Sequence, residues 1–186
     1  MNLIEEHALP WLKSRRYLDV WDAGCATGAE PYTLAMILRE NMGQFLFRNV
    51  RILATDLNGQ FREIIAKGQY PLEQVKRIPS GLFEKYFNPG DEPETFTLTE
   101  SLRRSIKFQE HDLTSLQPIR SGFGLVVCKN VLLHLNPKQR VEVLRMFHEV
   151  LLEGGFLATE PTQKMPVEAQ DWFRPVCSSG AVYKRV

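Results

Sequence analysis

The stretch that decides the fold is Asp22-Ala-Gly-Cys-Ala-Thr-Gly28-Ala-Glu-Pro-Tyr-Thr-Leu-Ala-Met36. It follows the apolar segment Tyr17 to Trp21 and runs directly into a helical pattern, so it reads as a strand, a glycine turn and a helix start. Doubly wound α/β folds use this unit to present backbone N–H groups and a positive helix end to a nucleotide cofactor. Pro31 suits the first helical turn, where its missing N–H costs nothing. Leu34, Met36, Ile37 and Leu38 supply a buried face.

The glycines do not match the dinucleotide fingerprint. That pattern places glycines at its first, third and sixth positions, whereas here Cys-Ala-Thr separates Gly24 from Gly28. A diphosphate needs a bare backbone for close approach, which argues against a nicotinamide dinucleotide. An acid at the strand end, Asp22, with looser glycine spacing suits a cofactor that carries positive charge and no phosphate. S-adenosylmethionine, with its sulfonium, amino group and ribose diol, is such a cofactor. Taken alone, Gly24 and Gly28 also fit an ordinary strand-to-helix turn.

A second segment, Ile52-Leu-Ala-Thr-Asp56-Leu-Asn58, ends a β-type run on an acid about 28 residues past Gly28. In doubly wound folds an acid at this strand tip takes the ribose hydroxyls. The long gap fits an extended first helix plus a loop at Asn41 to Asn49. Asp56 in isolation would also serve as a helix cap.

The 186 residues suit one domain, residues 1–186, with enough chain for a substantial core. A 44% hydrophobic and 24% charged composition is that of a soluble globular protein. A net charge of +1 provides no general field to draw nucleic acid or membrane. Cys25, Cys128 and Cys177 have no metal-ligand spacing, which argues against a metal site and reads as a reducing cytoplasm. No apolar stretch approaches a membrane span, and Glu5 and Glu6 stand where a signal peptide would carry positive charge.

Along the chain, residues 3–12 read as a helix disturbed by Pro10. Strands are expected at 17–22, 50–55, 123–128 and 156–159, with helices at 31–41, 59–67 and 137–152. Two short helices flank Pro79 within 72–87, and residues of about 88–107 form a small β excursion. Glu153-Gly154-Gly155 stops the last helix, and a hairpin of 172–177 and 181–185 turns at Ser178-Ser-Gly180. Alternating strands and helices with a C-terminal antiparallel pair give an α/β, Rossmann-like, mostly parallel sheet of about seven strands.

Gly24-Cys-Ala-Thr-Gly-Ala-Glu-Pro-Tyr-Thr33, Ala54-Thr-Asp-Leu-Asn58 and Cys128-Lys-Asn-Val-Leu-Leu-His-Leu135 follow one another in that order. Together they resemble the catalytic domain of the CheR-type chemoreceptor glutamate methyltransferases. The likeness continues through Gly68-Gln-Tyr70, Phe83-Glu-Lys-Tyr-Phe87, Leu152-Glu-Gly-Gly-Phe156 and Val182-Tyr-Lys-Arg185. The resemblance implies a class I S-adenosylmethionine-dependent fold and methyl transfer to a glutamate carboxylate of an acidic signalling protein. It further implies that Gly24, Ala26 and Thr27 line the methionine moiety, with Gly28 in the same turn, and that Glu30 takes its amino group. Asp56 would hold the ribose, Asp112 and Leu113 would flank the adenine, and Lys129 and Asn130 would form the floor beside the methyl group.

Several positions depart from the family pattern. His134 replaces a tyrosine near the transferred methyl, and Lys129 replaces an arginine, keeping charge but losing the planar fork. Ala158-Thr-Glu160-Pro161 stands for a Gly-His-Ser-Glu type segment. The sequence starts after the family's N-terminal helical domain and its Thr-x-Phe-Phe-Arg segment, so the basic group that could hold an acidic substrate is missing from it, and whether a separate helical partner supplies that arginine is left open. A different methyl acceptor, or a non-catalytic module that binds S-adenosylmethionine and S-adenosylhomocysteine, are the alternatives these departures leave.

Overall fold

The computed structural model describes residues 2–162, 164–178 and 181–186. A π-helical turn, Ile4–Ala8, runs into α1 (Leu9–Lys13). Pro10 has no N–H to return to the preceding turn, and the chain widens just before it. β1 (Leu18–Ala23), α2 (Ala29–Phe47), β2 (Val50–Asp56) and α3 (Phe61–Lys67) form the first two strand–helix units. Then come β3 (Gln69–Pro71), α4 (Leu72–Val75), α5 (Ser80–Tyr86), β4 (Phe87–Pro89), β5 (Thr95–Leu98) and α6 (Glu100–Arg103). The chain finishes with β6 (Ile106–Glu110), β7 (Phe123–Val127), α7 (Pro137–Val150), β8 (Leu151–Ala158), β9 (Phe173–Pro175) and β10 (Val182–Arg185).

The main sheet has seven strands in the order β6-β2-β1-β7-β8-β10-β9. β6, β2, β1, β7 and β8 run parallel, and β10 pairs antiparallel with both β8 and β9. The chain leaves β1 toward β2 on one side and takes up β7 on the other, so the strand order reverses at the β1–β7 boundary. Crevices outside the carboxyl ends of strands at such a reversal are where doubly wound sheets bind ligands.

Both faces of the sheet are covered, which is why its strands read as apolar runs: all five residues of β7 are buried. One face packs Val20, Ile52, Ala54, Leu125 and Val127 under Leu34, Leu38 and Ile65 of α2 and α3. The other packs Trp21, Leu53, Val126 and Leu157 under Val143, Leu144, Phe147 and Val150 of α7. Trp21 anchors that second layer, 5.5 Å from Phe123 and 5.3 Å from Phe147 between ring centroids. Its indole N–H, which burial would otherwise leave unpaired, donates to Thr55 Oγ1 at 2.9 Å. A capping box opens α7: Asn136 accepts from the Gln139 N–H, and the Gln139 side chain accepts from the Asn136 N–H.

Three segments depart from the sequence expectation. The stretch expected as a loop at Asn41 to Asn49 is mostly helix, because α2 passes through a kink at Gly43 (φ 74°, ψ 164°). Burial of Met42 and Phe47 holds the extension against the sheet. The excursion expected at about 88–107 is a three-stranded antiparallel sheet in the order β3-β5-β4, spanning Gln69 to Leu98. The following alternation at 106–110 belongs to the main sheet, where β6 pairs with β2. Finally, Glu153-Gly154-Gly155 lies inside β8 and does not end α7. The helix stops at Val150 as Leu151 turns extended, and the glycines form an irregularity against β7, with Gly154 at φ +72°. The hairpin strands form as β9 and β10; of its turn, Ser179 and Gly180 lie outside the described residues.

Candidate functional site

The end of β1 and the first turn of α2 are shaped by backbone constraints that few residues satisfy. Gly24 and Gly28 both have positive φ, +96° and +97°. A Cβ on Gly24 would overlap the Val131 side chain, and one on Gly28 would stand 2.8 Å from Ile65 Cγ1 and 2.9 Å from the Tyr70 hydroxyl. Glycine is therefore required twice, once for conformation and once for space. The turn is pinned to β2: the N–H groups of Gly24 and Cys25 both donate to the Thr55 carbonyl, at 2.8 and 2.9 Å. Tyr70, from β3, donates its hydroxyl to the Thr27 carbonyl at 2.8 Å and braces the turn from below.

Asp56 closes the neighbouring strand. Its Oδ2 accepts the Ala26 N–H at 2.9 Å and its Oδ1 accepts the Asn58 N–H at 3.1 Å. The two bonds fix Ala26 in the left-handed region (φ 46°), where a non-glycine residue is uncommon. Across the strand reversal, Asn130 after β7 is also left-handed (φ 57°), and its N–H donates to Glu160 Oε2 at 3.0 Å. Such strain persists where surrounding bonds over-determine it, and it clusters at functional sites.

Between these two turns lies a cavity of about 370 Å³ lined by Gly24, Cys25, Ala26, Thr27, Ala29, Glu30, Asp56, Lys129, Asn130 and Val131. Lys129 Nζ and Glu30 Oε2 form an ion pair of 3.0 Å across it, each side chain about a quarter exposed. Asp22 lies beneath, fully buried. Burial pushes its carboxyl well above the usual carboxylate range, Glu30 and Asp56 push the same way, and Lys129 opposes them. Burial, aided by the charges of Asp22 and Asp56, likewise pushes the Cys25 thiol up, so that Cys25 is a packing group here and not a nucleophile.

Of the residues singled out in the sequence, the cavity gathers Gly24, Ala26, Thr27, Glu30, Asp56, Lys129 and Asn130. Gly28 is buried as the cap of α2, and Asp22, at the end of β1, is fully buried and is not among the lining residues. The others stand apart from this lining. Asp112 is exposed and caps the 3₁₀ turn Leu113–Ser115, accepting from the N–H and hydroxyl of Thr114 at 2.8 and 2.7 Å. Leu113 packs into the Trp21 layer, and His134 is exposed on the 3₁₀ turn Leu132–His134. Tyr70 and Glu160 are structural supports that no spacing rule singles out: each acts through one long-range bond, across 43 and 30 residues.

The donor set fits a cofactor that carries cations. Three carboxylates surround one glycine turn, and the buried Asp22 oxygens have no hydrogen-bond partner among the described residues. A diphosphate would meet repulsion there.

The protein-family model "CheR methyltransferase, SAM binding domain" matches residues 1–182. The chemotaxis protein methyltransferase of Listeria monocytogenes is 33% identical over 158 residues, covering 84% of this chain and 58% of that protein. Chemotaxis protein methyltransferase 1 of Pseudomonas aeruginosa is 28% identical over 195 residues, covering 98% of this chain and 69% of that protein. The chain spans little more than half the length of the Listeria protein. With the glycine turn, the acid at each strand tip and this match over nearly every residue, the chain belongs to the CheR methyltransferase family and carries its S-adenosylmethionine-binding domain.

Proposed function

We propose that this chain transfers a methyl group from S-adenosylmethionine to a side-chain carboxylate of an acidic signalling protein, a glutamate of a chemoreceptor in the first instance. The observation that carries the reading is the cavity in which the glycine turn, Glu30, Asp56, Lys129 and Asn130 meet. The relatives' names, chemotaxis protein methyltransferase, support the choice of acceptor.

When bound, the cofactor supplies a methyl group already activated on its sulfonium. The protein's residues have positioning to do. Gly24, Ala26, Thr27 and Gly28 present backbone to the methionine part, Glu30 draws its ammonium, and Asp56 keeps lone pairs for the ribose diol while holding Ala26. Asp112 and Leu113, which follow the end of β6, flank the adenine. Asn130, locked by Glu160, forms the floor beside the methyl group, and Lys129 offers charge to the incoming carboxylate. His134 orients the acceptor from the rim.

No general base is needed for such an acceptor. A glutamate side chain in water has a pKa of about 4.3 and is ionised at neutral pH. Rate then comes from holding the carboxylate oxygen in line with the transferred carbon. We further read the chain as a single methyltransferase domain working in the cytoplasm, with a separate helical element helping to bind the acceptor. Among the described residues no helix is long and apolar enough to cross a membrane. Incubation with methyl-labelled donor and a chemoreceptor signalling fragment tests the reading: base-labile label on the fragment supports it, and label resistant to base would assign a different acceptor group.

A further inference from the structure

The two faces of the main sheet are not covered alike. On the face that carries Trp21, α7 packs over the middle of the sheet. β6 is the edge strand, and the segment that joins it to β7 forms only the 3₁₀ turn Leu113–Ser115, so no helix stands over the outer part of that face. A cavity of about 560 Å³ remains there. Leu53 of β2 and Ile119 give it an apolar floor, and Arg51, Arg104, Lys107 and Arg120 give it basic walls. Lys107 stands in register with Leu53 and so projects from the same face. A second cavity, of about 320 Å³, shares Arg104 and Ser105 with the first and adds Arg39 of α2 and Arg48 just after it. Six cations thus line one groove, and no carboxylate lines it among the described residues.

The whole chain carries 23 basic and 22 acidic side chains, so this segregation of charge is local and not a matter of composition. Two of the cations are held at the rim, Arg104 by Glu100 at 2.5 Å and Arg120 by Asp19 at 2.9 Å. Arg51 and Lys107 are exposed and have no carboxylate in ion-pair range among the described residues. An anionic occupant relieves the repulsion among such neighbours. The shape narrows its class. A bilayer is flat, whereas these cations line a concavity. A single-stranded nucleic acid stacks its bases on aromatic rings, and the first cavity has none among its described lining residues. An extended peptide with carboxylates around an apolar side chain matches walls and floor together. We propose that this groove docks an acidic, extended segment of the protein that is methylated, apart from the place where the acceptor glutamate reacts. Arg51 and Asp56 are the second and last residues of β2, about 16 Å apart along the strand. The segment held in the groove is therefore distinct from the methylated glutamate, and it adds affinity without touching the chemical step. The inference rests on the proposed reading of the acceptor as an acidic protein.

Fluorescence anisotropy of the whole chain with a short labelled peptide, glutamates around a central leucine, tests the groove without any methyl transfer. The unmodified protein is expected to bind the peptide with an affinity that falls as salt rises. Arg51→Glu/Lys107→Glu should bind it roughly tenfold less tightly, since each exposed pair is worth up to about fivefold in affinity and both are lost. Arg77→Glu/Lys138→Glu makes the same change in net charge outside the groove and should bind like the parent. Urea unfolding checks that both variants fold. With the acceptor protein, the groove variant should raise KM and leave kcat and S-adenosylhomocysteine affinity unchanged. No peptide binding by the parent, or binding that the groove variant keeps in full, would overturn the proposal. So would capture by phosphatidylserine vesicles that only the groove variant loses while the peptide is ignored, which would assign the groove to a lipid surface. Self-association abolished by the same variant, with the peptide again ignored, would overturn it in favour of a second copy of the chain. Groove-dependent peptide binding by a chain that methylates no protein would contradict the proposed function and leave the acidic-peptide site standing.

Discussion

Gly28→Ala is the substitution whose effect follows most directly from the geometry. The position has φ +97°, and a Cβ there meets Ile65 Cγ1 at 2.8 Å and the Tyr70 hydroxyl at 2.9 Å. The left-handed backbone costs an alanine about 1–2 kcal/mol. Overpacking against a buried isoleucine costs a further ~1–3 kcal/mol. The sum, about 2–5 kcal/mol, corresponds to a fall in Tm of roughly 5–15 °C for a chain of this size. The Tyr70 hydroxyl must also leave the Thr27 carbonyl, so the turn loosens and S-adenosylhomocysteine should no longer raise the Tm. A cycle with Tyr70→Phe isolates the steric part. Alone, Tyr70→Phe loses one hydrogen bond, about 1 kcal/mol; in the Gly28→Ala background it should cost less or even stabilise, because the clashing oxygen has gone. A Gly28→Ala protein that melts with its parent and still binds the ligand would refute the reasoning.

Three further outcomes follow from single contacts. Asp22→Asn should stabilise the empty protein at neutral and alkaline pH. The folded-state pKa of Asp22 is raised, so its contribution is most favourable below the ordinary aspartate range and declines as pH rises through the raised value; urea unfolding at pH 5 and pH 8 checks that the difference between variant and parent grows with pH. Asp56→Ala removes the acceptor for two backbone N–H groups and should cost about 1–3 kcal/mol together with ligand-induced stabilisation, read by melts with and without S-adenosylhomocysteine. Asn136→Ala breaks the capping box of α7 and should cost about 1 kcal/mol in urea unfolding while leaving ligand affinity unchanged.

The parts of this molecule that are legible in the sequence are those set by short-range rules. A continuous apolar run marks Phe123–Val127 as a central strand, the glycine turn that follows Leu18–Ala23 marks that segment as a strand, and the Asn136-Pro137 pair marks the start of α7. Gly24, Gly28 and Asp56 are readable because turn conformation and strand-tip position need those residue types. What escapes the sequence depends on distant partners. Asn41 to Asn49 reads as a loop, yet burial of Met42 and Phe47 carries α2 through the kink at Gly43. Gly154 and Gly155 read as a terminator, yet a backbone irregularity against β7 uses them inside a strand. A Cβ on Gly155 would come within 2.8 Å of the Leu152 carbonyl oxygen, which no local pattern reveals. At the site, the isolation of Asp22 and the bond from Asn130 to Glu160 exist only once three strand ends meet. Leu113, which the resemblance places beside the adenine, also packs into the Trp21 layer, a contact that no local pattern reveals.

The most direct test of the central claim is transfer of labelled methyl from S-adenosylmethionine to a chemoreceptor signalling fragment, in parallel reactions with the unmodified protein and Asp56→Ala. The account predicts label on receptor glutamates that mild base releases as methanol, and little or none with Asp56→Ala. Label that survives base, or equal labelling by both proteins, would contradict it.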